Sequence, residues 1–435
     1  MFSKNSFVKT PPMGWNSFDY YDTTVNEAEV RANAEYMAKY LKPHGYEYVV
    51  VDIQWSDPNA GTDRENYQYI NFSHFNMDEY SRQLPAENRF PSSKNGAGFR
   101  PLADYIHSLG LKFGIHIMRG IPRYAAHTHM KIKGTNVTAD KIANPYSISR
   151  WNPDMYGVDY SKPGAQEYYN SIFELYAEWG VDFVKVDDIC NTNFYKNNPY
   201  SAEKEIEMIH KAIENSNRNI VLSLSPGPAV IEKAWHLEKH ANMWRITDDF
   251  WDDWKLLKNM FERCEVWQKH VSEGCYPDCD MLPVGWLGKG FGKERYTNFT
   301  CDEQITMLTL WCIFRSPLMI GAELTKLDEK TLALLTNDEV LHLVTASHGA
   351  AQIERDDNHA VWVSRDNNDD GSSYAAIFNL SDEAQTFDIS FEKLGINYVV
   401  SVRDLWKQAR VLTSENSLKP SIPAHGAVLY KLAKA

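Results

Sequence analysis

The sequence is short of the features that mark unusual solvents and scaffolds. Cysteine is scarce, with Cys190, Cys264, Cys275, Cys279, Cys301 and Cys312 making six in 435 residues. That is too few for a disulfide scaffold in so long a chain, so reduced thiols are expected. Cys275 and Cys279 are spaced like half of a metal site, but no second pair at zinc-ligand spacing accompanies them. Apolar runs are all shorter than the ~20 residues of a membrane span, and Met1 to Thr10 has no apolar core of a signal peptide. A soluble, cytoplasmic protein without a membrane partner is therefore expected. Positive charge is also deficient: 45 Lys and Arg against 58 Asp and Glu leave a net charge of −13. This argues against a nucleic-acid partner, which needs a basic footprint, and suits a neutral ligand such as a sugar better than a phosphorylated one.

The rest of the composition is ordinary for a globular protein, with 43% hydrophobic and 24% charged residues. Eight short β-branched or apolar runs recur: Met13–Phe18, Tyr46–Ile53, Lys112–Met118, Asp182–Asp188, Asn219–Ser225, Met243–Asp249, Asp280–Val284 and Ser316–Gly321. Amphipathic stretches alternate with them, including Val25–Leu41, Phe99–Leu109, Ala165–Trp179, Ala202–Asn217, Trp251–His270 and Asp302–Phe314. Alternation of this kind predicts a parallel sheet with crossover helices. Eight strands point to a closed (β/α)8 TIM barrel, and the absence of a Gly-rich dinucleotide fingerprint after the first run weakens the open-sheet alternative. After about residue 340 the pattern changes to short strands without long helices, at Val361–Arg365, Ser373–Asn379, Gln385–Ile389, Tyr398–Val402 and Ala427–Leu432. The predicted organisation is an α/β barrel over residues 1–335 and an antiparallel all-β sandwich over 336–435. Two long insertions, Pro58–Pro91 and Arg119–Tyr160, follow strands and so belong to the C-terminal face of the barrel, where binding loops gather.

Barrel enzymes carry their chemistry at strand C-termini, which here hold Asp52, Lys185-Val186-Asp187-Asp188 and Arg245-Ile246-Thr247-Asp248-Asp249; Asp280 opens the seventh run. Side chains two apart share a strand face, so Lys185 and Asp187 point together, and a neighbouring cation holds a carboxylate ionised, as a nucleophile requires. Arg245 is in phase with Asp249, whereas Asp188 has the opposite parity and should face the helical layer or a loop. Two carboxylates across a barrel mouth are what glycoside hydrolysis needs. A single Asp at a strand end is more often a helix cap or surface charge; the signal lies in the set. His116 is either a substrate contact or a core histidine within the third strand. Trp15 and Trp55 are candidates to stack on a sugar, and Trp244 fits core as well. His127-Thr128-His129 reads as a loop pair without an acidic ligand to complete a metal set.

These stretches resemble glycoside hydrolase family 27, the α-galactosidase and α-N-acetylgalactosaminidase family. The resemblance rests on Pro12-Met13-Gly14-Trp15-Asn16-Ser17-Phe18, Val181 to Asp187, Trp244 to Asp249, Asp280-Met281-Leu282, and Ser316 to Ala322 followed by Leu335 to Val340. It implies a barrel with a C-terminal β domain, a retaining mechanism, no metal and no cofactor. By matching position it implies Asp187 as nucleophile and Asp249 as acid/base, with Lys185, Arg245, Asp52, Asp280 and Trp15 around the sugar. Three positions depart from the usual galactosidase pattern. Ile53 replaces the second of two adjacent Asp, His116 stands where Tyr is common, and Ser225 stands where galactosidases place Glu. A small Ser there resembles the N-acetylgalactosaminidase pattern, which leaves room for a 2-acetamido group. The resulting expectation is a retaining exo-α-glycosidase releasing terminal α-D-galactosyl or N-acetyl-α-D-galactosaminyl residues. The alternatives are a β-L-arabinopyranosidase or an isomaltosyl-releasing dextranase, then a Schiff-base aldolase built on Lys185, then a sugar-binding protein without turnover. A carbohydrate is the expected partner, and a homo-oligomer is compatible with the sequence.

Overall fold

Alternation of strand and helix closes the first three quarters of the chain on itself. The computed structural model describes residues 4–61, 75–149, 151–192, 195–368, 371–397, 400–411 and 416–434. Residues 62–74 of the Pro58–Pro91 insertion, the start of the N-terminal stretch and positions 398–399 of the expected strand Tyr398–Val402 lie outside the described residues. Eight parallel strands form the barrel wall: β1 (Met13–Asn16), β2 (Tyr48–Val51), β3 (Lys112–Met118), β4 (Phe183–Asp187), β5 (Val221–Leu224), β6 (Met243–Arg245), β7 (Tyr276–Asp278) and β8 (Leu318–Ile320). They pair in sequence order, with β8 returning to β1. The remaining gap closes where the Leu282 amide donates to the Met319 carbonyl at 2.7 Å and Leu282 bridges Ile320 in parallel.

The helices used below are α1 (Phe18–Tyr21), α2 (Glu27–Tyr40), α3 (Arg100–Ser108), α4 (Ala165–Trp179), α5 (Glu203–Asn215), α6 (Ala234–His240), α7 (Trp254–Trp267), α8 (Cys301–Phe314) and α9 (Asp338–Ala346). Local sequence sets their ends. Asn26 with Glu29, and Thr300 with Glu303, form capping boxes at α2 and α8, satisfying amides that have no intrahelical partner. Gly180, at φ +83°, ends α4 in the left-handed conformation that favours glycine. The seventh strand is a correction to the sequence reading. It spans Tyr276–Asp278 rather than starting at Asp280, and its central Pro277 hides it from a propensity argument.

Register divides the wall into an inner and an outer face. Gly14, Tyr48, Phe183, Val221, Met243 and Tyr276 pack at the barrel floor; a Cβ on Gly14 would sit 2.1 Å from the Tyr48 carbonyl oxygen. Alternate residues face the helices, and Trp15 and Trp244 are among these, both fully buried. Along β2, β4 and β6 the inner positions run upward from Tyr48 to Asp52, from Phe183 through Lys185 to Asp187, and from Met243 to Arg245.

The C-terminal part builds a six-stranded antiparallel sheet from β9 (Ser347–Arg355), β10 (His359–Asp366), β11 (Ser373–Asn379), β12 (Val400–Asp404), β13 (Ala409–Val411) and β14 (Ala427–Lys434), in the order β9-β10-β11-β14-β12-β13. One face, with Val361, Ile377 and Leu432, packs under the short paired segments that carry Ile389, Leu418 and Ile422, making a sandwich. The other face, with Trp362, Tyr374, Ala376 and Phe378, joins the barrel core. Helix α8 lies between the two, which explains why every residue from Thr306 to Phe314 is buried. Phe314 meets Trp362 edge-on at 6.2 Å and Phe261 meets Phe378 at 4.8 Å. His425 stacks on Trp254 at 3.8 Å while its Nδ1 bonds Glu303 at 2.8 Å. No helix among the described residues is long and apolar enough to cross a membrane. Truncating Trp362 would open a cavity at this junction. We expect Trp362→Ala to lose about 3–5 kcal/mol of stability in urea unfolding, and a loss below 1 kcal/mol would show that the junction contributes little.

Candidate active site

At the C-terminal end of the wall lies a cavity of about 310 Å³, the setting in which small ligands bind. Its charged lining comprises Asp19, Asp52, Lys185, Asp187, Arg245, Asp248, Asp249 and Asp280. Phe18, Ile53, Trp151, Phe250, Trp251 and Met281 supply the apolar surface. Six carboxylates therefore share the space with two cations, and each cation spans strands.

Lys185 Nζ pairs with Asp52 Oδ2 at 3.0 Å, and the same oxygen accepts from Asn16 Nδ2 at 2.7 Å. The other Asp52 oxygen accepts from the Ile53 amide at 2.8 Å. Burial pushes the Asp52 carboxyl up, but Lys185 and His116, with the Ile53 and Asn16 bonds, outweigh it and hold the group below the usual aspartate range. Burial pulls Lys185 down, and the carboxylates of Asp52, Asp187 and Asp280 outweigh that and hold the ammonium charged.

Asp187 ends β4 with its side chain 15% exposed. Oδ2 accepts from His116 Nε2 at 3.1 Å and Oδ1 from the Asp188 amide at 2.7 Å. Burial again acts upward, and the His116 bond and charge, then Lys185 and the Asp188 amide, bring the net direction down. Asp187 is thus an ionised carboxylate in a sheltered place. Asp188 turns away, as its parity implies, into an ion pair with Arg119 at 2.9 Å behind the wall.

Arg245 is nearly enclosed and reaches Asp280 Oδ1 at 3.0 Å and Asp249 Oδ1 at 3.1 Å. Asp280 Oδ2 also accepts from the Phe250 amide at 2.8 Å. Asp249 is different in kind, with 66% of its side chain exposed. Three residues just past strand ends, Gln54, Asp188 and Asp280, hold φ of +69°, +56° and +79°. Left-handed backbone at non-glycine residues costs about 1–3 kcal/mol each and concentrates at functional sites. Burial, then repulsion from Asp280, pushes the neighbouring Asp278 up to about 7.

Of the residues singled out from the sequence, Asp52, Lys185, Asp187, Arg245, Asp249 and Asp280 are brought together at the cavity. Four are not placed on it. Trp15 has the outward parity of β1, is 0% exposed, and donates its indole N–H to the Ala322 carbonyl at 2.8 Å. Trp55 is packed against Phe99 and Trp179 and donates to the His116 carbonyl at 2.6 Å. Neither can stack on a ligand. His116 reaches Asp187 rather than the cavity surface. Ser225 is fully buried with its hydroxyl toward the Val186 carbonyl at 3.4 Å, and Pro226 lines the cavity in its stead. His127 and His129 do not act as a pair: they bond Tyr156 at 3.2 Å and Asp140 at 3.0 Å respectively. The six cysteines are free thiols, and Cys275 does not pair with Cys279, which instead lies 3.5 Å from Cys264.

Sequence reasoning missed Phe18, Asp19, Trp151 and Trp251. Phe18 shares the inward alternation of Gly14 and Asn16, so parity along β1 could have found it in place of Trp15. Trp151 comes from the Arg119–Tyr160 insertion, where no periodic signal exists. Asp19 is enclosed at the cavity edge, and burial followed by Asp280 raises its carboxyl well above the usual range. Gly321 makes room for it, since a Cβ there would fall 2.0 Å from Asp19 Oδ2.

The chain is similar to known proteins along its length. The family described as Alpha galactosidase A matches residues 154–345, and the Alpha galactosidase C-terminal beta sandwich domain matches residues 356–432. The crystal structure of a GH27 β-L-arabinopyranosidase from Geobacillus stearothermophilus, in complex with arabinose, is 53% identical, with a TM-score of 0.95 over 100% of this chain and 99% of that one. A candidate α-N-acetylgalactosaminidase from Bacillus halodurans is 49% identical, with a TM-score of 0.87 over 98% of this chain and 97% of that one. The α-galactosidase of Coffea arabica is 26% identical over 434 residues, covering 98% of this chain and 95% of its own length.

Removing Lys185 would strand Asp52 as a buried carboxylate. We expect Lys185→Met to lose about 3–5 kcal/mol of stability at neutral pH. Asp52 is depressed in the folded protein, so the contribution of the pair is full above the ordinary aspartate value of 3.8 and is lost as pH falls through the lower folded value. The difference between wild type and variant should therefore narrow on acidification. Unfolding followed at several pH values checks this, and a gap that stays constant down to acid pH would assign the stability loss to something other than the Lys185–Asp52 pair.

Proposed function

The chain belongs to glycoside hydrolase family 27, and we propose that it is a retaining exo-β-L-arabinopyranosidase acting by double displacement. In the first step an Asp187 oxygen bonds to the anomeric carbon while the bond from that carbon to the leaving oxygen breaks and Asp249 gives that oxygen its proton. In the second step water attacks the same carbon, Asp249 takes the water proton, and the ester to Asp187 breaks, so configuration is restored. What supports these roles is the contrast between the two groups. Asp187 is sheltered, ionised and held by two donors, which suits a nucleophile. Asp249 stands at the solvent side, steered by Arg245, where a leaving group departs and water enters. His116 holds Asp187 in place, and Lys185 keeps the surrounding charge balanced.

The observation that carries the choice of sugar is Ile53 in the cavity wall. A carboxylate at this position would offer a sugar hydroxyl an acceptor, and isoleucine offers none. β-L-Arabinopyranose has the ring configuration of α-D-galactopyranose without its exocyclic hydroxymethyl group, so it has one hydroxyl fewer to satisfy. A hydroxyl left unpaired on binding costs about 1–3 kcal/mol, enough to set the preference. The arabinopyranosidase from Geobacillus stearothermophilus agrees with this reading. The α-galactoside is the second reading, favoured by the α-galactosidases among the relatives. The N-acetylgalactosaminide has lost the feature that suggested it, because Ser225 does not open onto the cavity.

Aryl glycosides test the proposal. We expect kcat/KM for the β-L-arabinopyranoside to exceed that for the α-D-galactopyranoside by about tenfold or more, in line with one unpaired hydroxyl. Ile53→Asp should narrow that ratio, and a wild-type preference for the galactoside, N-acetylgalactosaminide or isomaltoside would overturn the choice of sugar. Nuclear magnetic resonance of the first-formed arabinose should show the β anomer; an initial α anomer would exclude retention. Asp187→Asn should reduce kcat by about a thousandfold or more, and retained turnover would remove Asp187 from the mechanism.

A further inference from the structure

Outside the sugar cavity, helices α5 and α6 bring together imidazole and carboxylate groups that the hydrolytic chemistry does not use. His236 and His240 lie one turn apart on α6, the i, i+4 spacing that puts two imidazoles on one helix face. Glu207 faces them from α5, and one ligand atom from each of the three lies within 4.8 Å of the others. None of the three lines the cavity. From this geometry we propose that Glu207, His236 and His240 bind one divalent transition-metal cation of the Zn²⁺ class, bracing α5 against α6.

Three further observations support the assignment. First, the spacing fits: a tetrahedral Zn²⁺ held at about 2.0–2.2 Å needs ligand atoms roughly 3.4 Å apart, and His236 Nε2 already lies 3.3 Å from Glu207 Oε1. That contact is a hydrogen bond, and a bound cation would take the place of its proton. Second, each imidazole is oriented from its far side, as metal-ligating histidines are. His236 Nδ1 meets the Tyr200 hydroxyl at 2.9 Å, and His240 Nδ1 meets His210 Nδ1 at 2.8 Å, leaving both Nε2 atoms for the cation. His210 continues the chain toward Glu214 at 3.7 Å. Third, the His236 side chain is 1% exposed and His240 9% exposed, so both imidazoles are held by packing beside the gap rather than free in solvent. Glu207 is half-open to solvent and provides the entry path. Three protein ligands leave a position for water.

The probe is Co²⁺, whose visible absorption reports coordination, followed by competition with Zn²⁺. Full-length protein stripped with a chelator should take up one Co²⁺ per chain, and Zn²⁺ should displace it and raise the melting temperature. Glu207→Gln, conservative and partly exposed, should keep the fold by circular dichroism while weakening Co²⁺ binding at least tenfold. His236→Ala and His240→Ala should abolish binding, and His348→Ala, in the β domain, should leave it intact. Failure to bind one Co²⁺ per chain, or binding unchanged in Glu207→Gln and His240→Ala, would overturn the proposal. Aryl glycoside turnover should survive stripping, and metal-dependent turnover would place the cation in the sugar cavity and overturn the assignment equally.

Discussion

A buried ammonium sets the terms for everything around it. Lys185 stands on the inner face of a barrel strand, where two residues lower the wall is the apolar Phe183. An ammonium there is tolerable because Asp52 reaches it from β2 at 3.0 Å and Asp187 rises beside it on the same strand. Lys185 in turn leads in holding Asp52 ionised and adds to His116 in doing so for Asp187. Arg245 repeats the arrangement across the barrel with Asp280 and Asp249. The two clamps tie neighbouring and distant strand ends into one charge network, so the position of each carboxylate depends on strands it does not belong to. A closed barrel is suited to this, because strand register fixes the heights of all inner positions relative to one another.

Period-two alternation made much of this legible in the sequence. It put Lys185 with Asp187 and Arg245 with Asp249, and it sent Asp188 outward, where Arg119 meets it. The same rule, carried along β1, would have assigned Trp15 to the helical layer and Phe18 to the cavity; an aromatic side chain suited to sugars drew attention away from parity. Three other features lay beyond local pattern. Strand β7 carries a proline, so its true span could be seen only from its pairing with β6. Strand β9, Ser-His-Gly-Ala-Ala-Gln-Ile-Glu-Arg, is largely exposed and poor in β-branched residues, and exists because β10 offers it an edge. The cavity residue Trp151 is delivered by an insertion whose path depends on tertiary contacts.

The β domain also bears on the site, though none of its residues lines the cavity. Its sheet packs on α8, whose Trp311 indole N–H reaches the Asp280 carbonyl at 3.2 Å and whose ring lies 5.0 Å from that of Phe250. Phe250 in turn gives its amide to the Asp280 carboxylate and follows Asp249 directly in the chain. A continuous packed path thus runs from Trp362 through Phe314 and α8 to the strained Asp280 and to Asp249, the most solvent-accessible of the paired carboxylates. Asp187 needs no such outside support, because β4 is flanked by wall strands on both sides and its carboxylate is pinned by β3 and its own backbone. Asp249 lies four residues past the end of β6, beyond the reach of ladder hydrogen bonds. For that residue, placement has to come from Arg245 below and from the α8–Phe250 packing behind, and the second of these is where the β domain enters the geometry of the barrel mouth.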